Sequence, residues 1–168
     1  KKVKEQENYL RKKNISFENG SGFYYFGHLI HLKKIKGKED IAFIRNNQLI
    51  VLYKKKIMKK TIEHWYKKEI KKYVIKRLEF FTREIKVKYK DVSFKTYKNR
   101  LGSCSKLGSI IFNWKIVMMP KNIIDYVIVH ELCHLKQFNH SLSFWSEVKL
   151  YCPEYKECIK WIKSNYNI

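Results

Sequence analysis

The sequence predicts an α+β fold with strands first and helices last. Three observations predict it. Aromatic- and Ile-rich segments of strand character occupy the first third. A run with apolar residues every three or four positions follows. A nearly all-apolar helix near residue 125 then leads into HELCHLKQFNH, residues 130–140.

In order, FYYFGHLIHLKKI (Phe23 to Ile35) reads as a strand with Gly27 as a bulge or turn. A short segment around Tyr9 and Leu10 reads as helical. IAFIRNNQLIVLY (Ile41 to Tyr53) reads as a β-hairpin, because Asn46 and Asn47 tolerate positive φ. In residues 61–85 the apolar positions Ile62, Tyr66, Ile70, Tyr73, Val74, Leu78, Phe81 and Ile85 define one long amphipathic helix. Its lysines line the other side, as a solvated face or as a track for nucleic acid. VKYKDVSFKTYKNR and SIIFNWKIVMMP read as two strands of a small antiparallel sheet, joined by a turn-rich link, Leu101 to Ser109. Pro120 closes the second and a helix begins near Lys121. The last stretch reads as two short helices split at Pro153.

With 168 residues, 45% hydrophobic and 15% aromatic, the chain can build a core, which excludes a disordered basic tail. No apolar run approaches the roughly 18 residues that would span a membrane. The basic start, KKVKEQENYLRKK, has no apolar stretch behind it and so is not read as a secretory signal. Cys104, Cys133, Cys152 and Cys158 form no CxxC pair, which predicts reduced thiols and a cytoplasmic chain. Cys152 and Cys158, six apart on helical sequence, are not expected to face each other. The net charge of +22 has two readings. One is a nucleic-acid or nucleotide partner that gains affinity by counterion release. The other is drift in a composition rich in Lys, Ile, Asn and Tyr, with lysines spread over the whole chain.

HELCH carries the chemistry. Histidines four apart on a helix differ by about 40° in direction and about 6 Å in height, so both imidazoles reach one ion. Glu131, about 100° round from His130, can bond a water on that ion without ligating the metal. Two histidines and a glutamate on a buried helix are costly unless something such as a metal compensates them. His140 is a ligand only if the helix breaks first, since a straight helix would turn it about 240° from His134. Gln137 stands where a helix-ending glycine would suit, so Asn139 is the expected left-handed residue, with the break at Phe138–Asn139. The rival third ligand is Glu147 on the next helix. Cys133 could ligate a soft metal, but it projects to the flank and reads as a packed core thiol.

These motifs bring a resemblance into view. The run from Arg100 to Tyr155 resembles the YgjP-like metallopeptidase domain, a relative of the WLM and SprT-like zinc peptidases. The matching positions are Arg100 to Ser105, Asn113, Pro120, Asp125–Tyr126, His130 to Leu135, Asn139 to Ser141, Phe144–Trp145 and Pro153 to Tyr155. Leu101 departs from the family's tryptophan. The resemblance implies one zincin-like domain over 1–168, with a β region at 20–55 and a catalytic core at 59–168. It implies one Zn2+ held by His130, His134 and His140, with Glu131 as general base. It also suggests that the strand after GSCS runs beside the site, where an extended peptide would pair with it. Arg100, Ser103 and Cys104 are then candidates for the cleft rim, or else a structural turn. Tyr126, Tyr155 and Arg100 are candidate electrophiles for the oxyanion. The expected activity is hydrolysis of peptide bonds in a peptide or protein substrate by water on the zinc, activated by Glu131. The competing reading is a zinc hydrolase acting on a non-peptide anion such as a nucleoside triphosphate. Docking of the protease on nucleic acid is compatible with the first.

Overall fold

The computed structural model describes residues 16–54 and 58–166; the segment around Tyr9 and Leu10 lies outside them. Strands β1 (Gly22–Tyr25), β2 (His28–Lys36), β3 (Ile41–Arg45) and β4 (Gln48–Tyr53) form a four-stranded sheet in the order β1-β2-β4-β3. Helix α1 (Met58–Ile85) follows. A second sheet, β5-β7-β6, is built from β5 (Asp91–Lys95), β6 (Gly102–Cys104) and β7 (Ser109–Asn113). A 3-10 turn (Trp114–Met118) then leads into α2 (Lys121–Cys133), α3 (Leu142–Tyr151) and α4 (Tyr155–Asn165). No helix among the described residues is long and apolar enough to cross a membrane.

The α+β layout is the expected one, with local corrections. Phe23 to Ile35 is two antiparallel strands and not one. Phe26 (φ 47°) and Gly27 (φ 82°) make a tight turn between them. The turn docks on the lead-in to α2: the Phe26 N–H donates to the Val117 carbonyl at 2.8 Å and the Gly27 N–H to that of Met118 at 3.3 Å. A Cβ on Gly27 would lie 2.9 Å from Pro120 Cα, so only glycine permits this approach. The Asn46–Asn47 hairpin forms as expected, with φ of 49° and 58°.

The second sheet is mixed: β6 runs antiparallel to β7, whereas β5 runs parallel to it. The turn-rich link therefore contains an edge strand, β6. The strand after GSCS, β7, is the central one. SIIFNWKIVMMP is strand only to Asn113, whose side chain accepts from the Lys115 N–H and starts the 3-10 turn.

Helix α1 begins at Met58, three residues before the periodic run, and buries Trp65 in addition to the apolar stripe. It anchors α2 through Asp125, whose Oδ1 accepts from the Tyr73 hydroxyl and from Arg77 Nε, each at 2.9 Å. Helix α2 is buried on nearly every side, with Ile124, Ile128, Val129, Leu132 and Cys133 fully enclosed. The helix that carries the histidines thus sits in the core rather than on the surface. Cys133 is one of its packing residues, and burial raises its thiol pKa to about 12.

Candidate metal centre

His130 lies in the last turn of α2, and His134 is the residue that ends the helix. Beyond it the chain tightens. The Leu135 N–H donates to the Leu132 carbonyl and the Lys136 N–H to that of Cys133, each at 3.0 Å, in the 3-10 manner. The break thus comes at His134–Lys136, ahead of the expected Phe138–Asn139. Asn139 is not in the left-handed region; the helix ends by tightening, which needs no positive φ. The chain then bends at Phe138–Asn139 and reaches Ser141, which caps α3 by accepting from the Phe144 N–H.

This turn returns His140 to the helix end. Nε2 of His140 and Nε2 of His134 each lie 3.2 Å from Nε2 of His130. The ligand atoms of all three residues lie within 4.8 Å of one another. Two nitrogens on one tetrahedral ion at bonds of 2.0–2.1 Å would be about 3.3 Å apart. The Nδ1 of His134 is 3.0 Å from the Gln137 carbonyl, so Nδ1 carries the proton and Nε2 offers its lone pair. Nδ1 of His130 faces the Tyr126 hydroxyl at 3.4 Å. Burial and the neighbouring histidines lower the His130 pKa to about 3, and burial also lowers that of His134. Neutral imidazoles with converging lone pairs suit a cation and repel one another without it, so the donor set fits a metal ion. The rings are fixed by packing: Phe144 stacks on His134 with centroids 4.6 Å apart, and Trp145 stacks on His140 at 5.6 Å.

Glu147 is not in this cluster. Its carboxylate pairs with Lys136, fastening the turn after His134 to α3.

Glu131 is 5% exposed and points at β6. Burial raises its pKa to about 8, against the opposing charge of Arg100. A Cβ built on Gly102 would sit 2.6 Å from Glu131 Oε1 and 2.9 Å from its Cδ. Gly102 therefore makes room for the carboxylate, a role hidden in a link that reads only as turn residues. Gly102→Ala should displace the carboxylate and lower hydrolytic turnover by about a hundredfold while metal content stays unchanged; turnover assays paired with metal analysis check this.

The other candidates separate. Arg100, Leu101 and Gly102 share a cleft of about 620 Å³ with His130, Glu131, His140 and Trp145. Leu101 is 7% exposed and forms part of its wall. Cys104, on the same face of β6 as Gly102, has its thiol pKa raised to about 11 by burial and by Glu131. Ser103 points to the opposite face. Tyr126 also lines the cleft, but its hydroxyl is turned to the ring of His130. Tyr155 stacks on Trp145 at 5.3 Å. Asn113, fully buried, holds the rim: its Nδ2 donates to the Arg100 carbonyl at 3.0 Å and its N–H to that of Leu101 at 2.7 Å. Helix α4 adds Ile159, Ile162 and Lys163 to the cleft, which no motif in the sequence marks.

Cys152 and Cys158 do meet, contrary to expectation. The two thiols are near enough to act on each other, which lowers the pKa of Cys152 and raises that of Cys158. The chain turns between α3 and α4, so the two are not on one helix.

No curated protein matches the chain. Among solved structures, the metallopeptidase zymogen abylysin of Pyrococcus abyssi is 24% identical with a TM-score of 0.47, covering 56% of this chain and 99% of its own. The jannalysin zymogen of Methanocaldococcus jannaschii is 22% identical with a TM-score of 0.44, covering 52% of this chain and 93% of its own. The sequence itself matches the YgjP-like metallopeptidase domain over residues 1–165, nearly its whole length, and the chain belongs to that family.

Proposed function

We propose that the protein is a zinc-dependent peptidase in which His130, His134 and His140 hold one Zn2+ and Glu131 is the general base. The observation that supports this most is the convergence of three imidazole nitrogens beside one buried carboxylate. Zinc bound there would polarise a carbonyl and acidify water. Glu131 takes the proton of the attacking water and returns it to the leaving amine, and a carboxyl pKa raised toward neutrality suits both transfers. Gly102 leaves the room that this carboxylate occupies. An extended substrate would pair with the outer edge of β6, which among the described residues bonds only to β7. Tyr126 orients His130 through its Nδ1. Reduced thiols suit the cytoplasm, and the four cysteines are free.

The test is casein hydrolysis by zinc-loaded protein. Activity should be lost on chelation, recover when zinc is restored, and be absent from the Glu131→Gln variant. A second reading draws on two cations in the cleft, Arg100 and Lys163, which would also suit a nucleoside triphosphate. Glu131-dependent phosphate release from nucleotides without peptide cleavage would overturn the peptidase reading in favour of the second.

A further inference from the structure

The cleft beside Glu131 has an uneven charge. Its lining includes two cations, Arg100 from the lead-in to β6 and Lys163 from the last turn of α4. Among the described residues the one carboxylate in the lining is Glu131, buried and turned to Gly102. Among the described residues neither cation forms an ion pair. Arg100 is exposed and lies in the loop before β6, with its carbonyl fixed by buried Asn113 and its guanidinium resting on the Tyr97 ring, 4.9 Å from its centroid. The same lining carries apolar side chains, Leu101, Ile159 and Ile162 among them.

We propose that this cleft selects peptides that present a carboxylate next to the scissile bond, with Arg100 and Lys163 as the residues that hold it. The inference rests on the peptidase reading and names its substrate class. The carboxylate has two sources: an acidic side chain, or the C-terminus of a short peptide. Arginine offers a carboxylate a planar pair of donors, and lysine adds a point charge. A peptide would lay its main chain along β6 and its aliphatic stems on the apolar side chains.

The experiment measures binding by calorimetry to zinc-loaded Glu131→Gln protein, so that no probe is consumed. One probe pair is an amidated hexapeptide with Glu or Gln at its centre. A second is a neutral hexapeptide with a free or an amidated C-terminus. The expected result is about tenfold tighter binding of the charged member in at least one pair, and that pair identifies the source. Arg100→Gln and Lys163→Gln should each cut the preference about threefold or more. Lys163→Glu, at an exposed position that the fold tolerates, should turn it toward a Lys-containing peptide. Equal affinity in both pairs, or a preference that survives in the double Gln variant, overturns the proposal. So does binding of inorganic triphosphate with neither peptide pair discriminated. Wild-type cleavage of the same peptides is followed in parallel. Charge preference in binding without Glu131-dependent cleavage supports the subsite and refutes the peptidase reading. Cleavage without preference does the reverse.

Discussion

Glu131→Gln is expected to retain the metal and the fold while lowering peptide hydrolysis by about 10²–10⁴-fold, the usual worth of general acid–base catalysis. The expectation follows from where the side chain sits. Glu131 is on the buried helix α2, yet its carboxylate has left the packed face and lies against Gly102 at the edge of the cleft. Gln occupies the same volume, so the contact with Gly102 and the packing of α2 persist. It cannot accept a proton, so water loses its base. Because Glu131 is not one of the three converging donors, zinc stoichiometry by metal analysis should match that of the parent. Burial of the carboxylate opposes its ionisation in the native state, so the uncharged amide should not lower the melting temperature. A variant that cleaves casein at the parent rate would remove Glu131 from the mechanism. One that loses zinc together with activity would make it a ligand.

The parts of this molecule legible from sequence are those encoded by neighbours in the chain. Asn46–Asn47 marks its hairpin because both residues adopt positive φ without help from elsewhere. The long helix shows in its spacing, and the His130–His134 pair in the four-residue repeat of a helix face. What escaped depends on contacts between distant segments. Phe26 carries no sequence signal for positive φ; it turns there because its N–H and that of Gly27 bond to carbonyls some ninety residues on. Strand β6 is three residues of Gly-Ser-Cys, too short to show a period, and becomes a strand only by pairing with β7. The helix end after His134 likewise lacks a glycine or asparagine signal, because local 3-10 bonding and the Lys136–Glu147 pair close it. In the site, the juxtaposition of His130 and His134 could be argued from helix angles. The cleft could not, since it draws on β6, α2, α3 and α4 at once.

His140→Ala should weaken zinc binding by about 10²–10³-fold, whereas Glu147→Gln should leave it intact. Structural zinc sites are worth roughly 10–16 kcal/mol over four ligands, so one imidazole accounts for about 3–4 kcal/mol, or two to three decades in affinity. His140 is the informative ligand because it is separable. His130 and His134 belong to α2 and its terminus, so changing either disturbs the helix itself, whereas all three rings, His140 included, pack on Phe144. His140 is exposed and lies on an irregular link whose course is set by other groups: the 3-10 bonds after Leu132, the Lys136–Glu147 pair and the Ser141 cap. Alanine removes a donor without removing the turn, so the fold should survive with the ring contacts to Trp145 and Phe144 lost. Glu147→Gln tests the converse. It deletes the charge that fastens Lys136, loosening the turn by the roughly 1 kcal/mol or less expected of a half-exposed ion pair. All three nitrogens remain. Competition against a chromophoric zinc chelator measures both constants. Equal affinity in His140→Ala, with a loss in Glu147→Gln, would transfer the third position to the carboxylate. The ion pair seen with Lys136 would then have to open whenever the metal binds.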